Sequence, residues 1–336
     1  MVTNTDIAII GAGPVGLFAV FEAGMLKMKT TVIDTLDYIG GQCTALYPEK
    51  PIYDIPAHPK IFASELIENL RIQAEPFKPQ YMLGQQVTRY KKLQSGEFEI
   101  TTDKNNIIRA KVIIIAAGCG AFGPNRPPLE GLESYEKKKS VQYMVQKSAD
   151  LKGKDVVIAG GGDSAVDWAV ILSDIAKSVS VVHRRAKFRC APDNAEKLKK
   201  LETEGKIKLV IPYQLHKLHG QGGILDAVEV IDLDGSTKEI KANILLPFFG
   251  LSMELGPISD WKLQLKKNHI EVNQTTMKTN IDGVYAIGDI ATYPGKLKLI
   301  LNGFGEAAMA CHDAYNIIHP ETPLHFEYST TKGVTS

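Results

Sequence analysis

The chain has 336 residues, 44% of them hydrophobic, and a formal net charge of +1. That length accommodates two domains, and the near-neutral charge gives no reason to invoke nucleic acid or a membrane surface as partner. No apolar run reaches membrane-spanning length, and the N-terminus lacks a basic segment followed by an apolar core, so the expected location is cytoplasmic. In chain order, the first element is an apolar strand over 7–10. It runs into Gly11-Ala12-Gly13-Pro14-Val15-Gly16, then a helix over 15–26 and a second strand, Thr30-Thr31-Val32-Ile33. This is a βαβ unit of the kind that cradles a dinucleotide. The helix N-terminus offers unpaired N–H groups and a positive dipole end to a pyrophosphate. The first glycine makes the tight turn, the second admits the phosphates, and the third lets helix and strand pack. Asp34 closes the second strand, 23 residues after Gly11, where a carboxylate accepts hydrogen bonds from an adenosine ribose.

The same pattern returns 149 residues later. Val156-Val157-Ile158-Ala159 leads into Gly160-Gly161-Gly162-Asp163-Ser164-Ala165, a helix over 164–176, and the strand Val179-Ser180-Val181-Val182. Ala165 takes the place of the third glycine. The position matching Asp34 holds His183, followed by Arg184, Arg185, Lys187 and Arg189. A carboxylate there repels a 2′-phosphate, whereas guanidinium groups bind one through forked, charge-assisted hydrogen bonds. The first site is therefore expected to take FAD or NAD. The second is expected to take NADPH, on Gly160, Gly161, Gly162 and Ser164 with His183, Arg184, Arg185 and Arg189. Asp163 caps the helix or hydrogen-bonds the linker. A last helix is read over 302–318, opening at Gly303-Phe304-Gly305.

The four cysteines, Cys43, Cys119, Cys190 and Cys311, form no CxxC and no metal-ligand spacing. They are read as buried or surface thiols.

The order of motifs resembles the two-dinucleotide flavoprotein disulfide reductase superfamily. Ile113-Ile114-Ile115-Ala116-Ala117-Gly118 looks like the strand that ends its first FAD segment, and Gly283-Val284-Tyr285-Ala286-Ile287-Gly288-Asp289 like its second FAD motif. Size and His183-Arg184-Arg185 resemble the thioredoxin reductase branch. That branch carries a redox CxxC just before its second turn, and the stretch 135–153 here has no cysteine. The glutathione reductase type carries two cysteines after its first Gly-Gly, and here Gly40-Gly41-Gln42-Cys43 has no second one. A thiolate relay is therefore disfavoured. Gly40-Gly41-Gln42, Ala45-Leu46-Tyr47-Pro48-Glu49-Lys50, Ile52-Tyr53-Asp54, the 160–169 segment and Gly303-Phe304-Gly305-Glu306-Ala307 are similar to the thioredoxin-reductase-like (type 2) ferredoxin–NADP reductases. The likeness covers nearly the whole chain. Cys43 departs from it, standing where an aliphatic residue is expected, and is read as inert packing.

The resemblance implies an α/β fold of two Rossmann-like domains. A discontinuous FAD-binding domain (1–119 and 249–336, with a C-terminal flavin-covering tail) would enclose an NADPH-binding domain (120–248). It places Gly11, Gly13 and Gly16 around the FAD pyrophosphate, Asp34 on the ribose, Gln42 near the flavin, Val87 by the adenine, Asp289 on the ribitol and Phe122 at a further FAD contact. Tyr47 stacks on one flavin face. On the other face, alignment on the hydroxyl run selects Tyr328 with Thr330 as a flavin contact, and alignment on Pro323-Leu324-His325 selects His325; Tyr328 is favoured. The positive end of the last helix points at the flavin. The implied reaction passes a hydride between the nicotinamide and the flavin and single electrons between the flavin and ferredoxin, or flavodoxin, with no acid–base residue. A homodimer is also implied. Two other readings stay open: a thioredoxin-reductase-like enzyme that passes electrons to flavodoxin, a quinone or oxygen, and a redox-sensing flavoprotein without turnover.

Overall fold

In a computed structural model the chain is described over residues 2–325, 330 and 333; residues 1, 326–329, 331–332 and 334–336, and the side chains of 121, 122 and 251–253, lie outside the description. It divides into two units, Met1–Phe122 with Met253–Ser336, and Gly123–Ser252. The sequence places the crossings at 119/120 and 248/249; the units change at 122/123 and 252/253.

The first unit is built on a mostly parallel sheet. Its order is Gln80–Met82, Thr30–Ile33, Val2–Ile10, Ile107–Ile115, Phe98–Thr102, Val87–Lys92. Val2–Ile10 runs parallel to both its neighbours, with Ile7 opposite Thr30 and Val112. Ile107–Ile115 divides its outer edge between two partners. Phe98–Thr102 pairs antiparallel with the first half, Phe98 opposite Ala110. Val284–Ala286, from the second chain segment, pairs parallel with the end, Val284 opposite Ile113.

Both faces of this sheet are covered. Ile7, Ile9, Val112 and Ile114 cluster with Ala19, Ala23, Ala307, Ala310 and Ala314 of the helices Pro14–Met25 and Ile300–Ile318. Ala8, Ile10, Ile113 and Ile115 cluster with Phe98, Ile100, Leu255 and Trp261. A parallel strand buried on both sides needs apolar residues at every position, which is why the buried stretches Ile7–Ile10 and Val112–Ile115 are unbroken apolar runs in the sequence.

The second unit repeats the plan. Lys208–Val210, Ser178–Val182, Asp155–Ala159 and Ile244–Pro247 form a parallel sheet in that order. Val156, Ile158 and Val181 pack with Val166 and Ala169 of the helix Asp163–Leu172. Val157, Ala159 and Val182 pack with Leu225, Val228 and Val230, which belong to an antiparallel sheet of Gln214–Gln221, Ile224–Ile231 and Thr237–Lys241.

The helix expected over 302–318 begins earlier, at Ile300, so Gly303 and Gly305 lie inside it rather than at its opening. Packing explains Gly303: a Cβ there would collide with Val15. The residue spends helix propensity to let two helices approach closely. Among the described residues, no helix is long and apolar enough to cross a membrane.

Candidate functional site

The two glycine turns have matching backbone geometry. Gly11 and Gly160 both lie at positive φ, +113° and +154°. Their N–H groups donate to the carbonyls that end the second strands, Ile33 O at 2.8 Å and Val182 O at 3.0 Å. Gly13 and Gly162 are the helix N-caps, both extended and neither with a side-chain cap. Around each of these two, a Cβ would meet nothing within 4 Å. The middle glycine of each turn thus faces open space beside unpaired helix N–H groups, the geometry a pyrophosphate requires. Gly16 takes the packing part that the third glycine has in such a turn. A Cβ there would strike the Gly11 carbonyl, and Gly16 is not among the cleft-lining residues, because it closes the helix onto the strand.

Beyond the turns the copies differ. Asp34 Oδ2 accepts the Ala12 N–H at 2.6 Å and Oδ1 accepts the Leu36 N–H at 2.8 Å. Burial pushes this carboxyl up, and the backbone donors pull against that shift. In the second copy the His183 ring stands over Gly161, where a Cβ would run into it. Gly161 is therefore buried, not presented to a ligand. His183 Nε2 lies 3.1 Å from Lys187 O and the ring stacks on Phe188 at 5.2 Å. Burial lowers the imidazole pKa, and the Arg184 and Arg189 charges lower it further. Arg184 and Arg185 are exposed. The Arg189 side chain is exposed too, but its main chain is tied to the turn, N–H to Gly161 O at 2.6 Å. Asp163 is the first residue of its helix, not the cap; its Oδ1 accepts the Ala191 N–H at 3.0 Å. Ser164 is exposed on the same first turn.

The first turn opens into a cleft within the first unit. It is lined by Gly11, Gly13, Asp34, Gln42, Tyr47, Val87 and Asp289, which come from widely separated stretches of chain. Tyr47 ends the short helix Gln42–Leu46, and burial pushes its phenol up. Ile300, the first residue of the helix Ile300–Ile318, also lines the cleft, so that helix presents its N-terminal end there. His325 and Thr330 are exposed and are not among the lining residues. Tyr328 and the Phe122 side chain lie outside the described residues. Sequence reasoning missed the wall made by Leu255, Pro257 and Ile258 and the pair Gln85-Gln86. No local pattern marks them, since their place follows only from how distant segments pack.

The pyridine nucleotide-disulphide oxidoreductase family matches residues 5–312. A protein named ferredoxin–NADP reductase, from Acidiphilium cryptum (strain JF-5), is 61% identical over 331 residues, 98% of this chain and 97% of that one. The chain belongs to the pyridine nucleotide-disulphide oxidoreductase family, in its ferredoxin–NADP reductase branch. Membership implies binding of FAD and of a pyridine nucleotide. Solved structures agree on the fold. A T. acidophilum thioredoxin reductase superposes with a TM-score of 0.80 at 25% identity, over 93% of this chain and 98% of that one. A Lactococcus lactis thioredoxin reductase (FR conformation) gives 0.79 at 25% identity, over 94% and 99%.

All four cysteines are free. Cys43 is 1% exposed, and its thiol donates to Tyr47 Oη at 3.7 Å. Burial pushes the thiol up to about 11. At pH 8 only on the order of one thiol in a thousand is then ionised, and the thiolate is the nucleophile. Native Cys43 should resist iodoacetamide at pH 8 far longer than the same residue in urea, read by peptide mass spectrometry. Rapid native labelling would contradict the inert reading.

Proposed function

We propose that this chain exchanges electrons between NADP(H) and ferredoxin through bound FAD, the ferredoxin–NADP(+) reductase reaction. Two reduced ferredoxins, NADP(+) and a proton interconvert with two oxidised ferredoxins and NADPH. The observation that carries the reading is the cleft beside the first glycine turn. It has the open middle glycine, the acidic strand end and a helix N-terminus, yet no disulfide: its lining thiol, Cys43, is buried and pushed up by burial, and Cys119, hydrogen-bonded by Gln42 at 3.3 Å, is also free and pushed up by burial. With neither CxxC nor CxxxxC in the chain, electrons leave for the protein partner directly.

The residues fit FAD. Gly13 gives its pyrophosphate room, and the first turn of Pro14–Met25 supplies N–H donors. Asp34 serves the adenosine ribose, Asp289 the ribitol, Val87 the adenine side and Gln42 the flavin end. Tyr47 offers a ring face. When bound, FAD supplies the conversion between two-electron exchange with NADP(H) and one-electron exchange with ferredoxin. The N-terminal end of Ile300–Ile318 favours negative charge at its end of the cleft. NADPH lies on Gly162 and Ser164 with its 2′-phosphate on Arg184 and Arg185, and Arg189 closes the turn through its main chain. Tyr328, or His325, covers the second flavin face, and the working form is a homodimer; both rest on the family resemblance.

The test is an assay with NADPH, purified ferredoxin and cytochrome c. Ferredoxin-dependent reduction of cytochrome c is expected. NADPH consumption by oxygen or a quinone alone, or slow flavin reduction indifferent to any partner, would replace this reading with one of its two competitors.

A further inference from the structure

The helix Ile300–Ile318 carries one charged side chain into the core. Glu306 is 1% exposed, and its carboxylate is shared by three groups. Oε2 accepts the Gly288 N–H at 2.7 Å, and Oε1 accepts the Tyr293 hydroxyl at 2.6 Å and pairs with Lys296 Nζ. The Lys296 side chain is itself only 6% exposed, and its ammonium lies 5.4 Å from the centre of the Tyr293 ring. Glu306 does not line the cleft, and nothing in the reaction uses it.

All these partners lie on one excursion of the chain. It leaves the sheet at Ile287, whose N–H donates to Ile115 O at 2.9 Å. It turns at Gly288, passes Asp289 and returns as a helix whose first residue, Ile300, lines the cleft with Asp289. Glu306 sits inside this loop and ties its start, its middle and its returning helix to one point. Val15 locks the same parts from the other side. Ideal Cβ atoms at Gly288 and Gly303 would both contact Val15, which follows Gly13 by two residues and also lines the cleft.

We infer that Glu306 is the positioning residue that fixes the Gly288-Asp289 turn against the pyrophosphate-binding turn and so sets FAD affinity; this rests on FAD occupying the cleft. The physical argument turns on direction. An apolar side chain of similar volume would fill the space and, once Lys296 is neutral too, would leave no buried charge unpaired. It could not hold the Gly288 N–H, a buried donor that then has no acceptor. The peptide ahead of Asp289 would lose its anchor, and the carboxylate that meets the ribitol would lose its fixed place.

Two variants, each built on Y293F, isolate this bond because both then lack the ion pair and the Tyr293 hydrogen bond. K296M/E306Q keeps a side-chain oxygen for Gly288, and K296M/E306L removes it. FAD titrations of the full-length apoproteins, followed by flavin fluorescence, should give the Gln variant a Kd within about three-fold of the wild type. The Leu variant should bind roughly ten-fold or more weakly, as expected when a bond to a buried donor is lost. Apoprotein melting temperatures, compared with Y285F as a control that loses a buried hydrogen bond to Asp313, separate binding from general loosening. Equal FAD affinity in the two variants overturns the inference and leaves the function untouched. No FAD binding by the wild type overturns both. If the Leu variant does not fold, hydrogen exchange decides: the Gly288 amide of the wild-type apoprotein should be protected, and free exchange there sinks the idea.

Discussion

Gly11→Val should yield a protein that carries no FAD and melts early. The backbone at Gly11 sits at φ +113°, which glycine adopts freely and a β-branched residue scarcely at all. Its new Cβ would collide with the carbonyl of Ala116. That carbonyl has little freedom to retreat, because the Ala116 N–H donates to Ile10 O at 2.8 Å across the central strand pair. Backbone strain of about 1–3 kcal/mol adds to overpacking of about 1–3 kcal/mol, against a total stability of roughly 5–15 kcal/mol for a typical domain. Gly13→Ala makes the informative contrast. At Gly13 φ is −70° and a Cβ meets nothing within 4 Å, so the apoprotein should melt as the wild type does. The methyl group would stand where the pyrophosphate must come, and FAD affinity should fall. Absorbance near the flavin band after purification, with melting curves of the apoproteins, reads both effects. A Gly13→Ala protein that retains FAD as tightly as the wild type would remove the pyrophosphate from this turn.

The second large effect is on cofactor choice. Arg184→Ala with Arg185→Ala should cost NADPH about 1.5–3 kcal/mol for each charge-assisted interaction lost, roughly ten- to a hundred-fold in Kd per residue. NADH should change little, because both side chains are exposed and an unphosphorylated ribose gives them nothing to grip. The His183 ring keeps its place on Gly161 in this variant, so the turn itself is preserved. Titration with each nucleotide measures the difference directly. An equal loss for both would mean that the arginines do not read the 2′-phosphate.

The parts legible in the sequence are those whose cause is local. Thr30–Ile33 is legible to the residue, because its four residues are all β-branched and follow the helix of the glycine turn. The helices after the two turns begin one residue from where the glycine pattern predicts them, since Gly13 and Gly162 set the caps. The differing strand ends, Asp34 and His183, were visible from register alone. What escaped depends on distant packing. Gly303 looked like a helix opening because its partner, Val15, lies nearly three hundred residues earlier. Glu306 was visible as part of a motif, but its burial between Gly288 and Lys296 was not. A carboxylate set among Gly303, Ala307 and Ala310 on the apolar face of one helix was the available sign.

The divided edge of Ile107–Ile115 bears on how the chain is made. As the polypeptide leaves the ribosome, Phe98–Thr102 is already present to pair with the first half of that strand. The partner of its end, Val284–Ala286, follows only after the entire Gly123–Ser252 unit has been synthesised. At roughly 5–20 residues per second, Ile113, Ile114 and Ile115 wait on the order of ten to thirty seconds with an open, wholly apolar edge. Unpaired edges of this kind recruit other strands. The nascent first segment is thus a natural client for chaperones, and a truncation before Val284 should aggregate even though both glycine turns are complete.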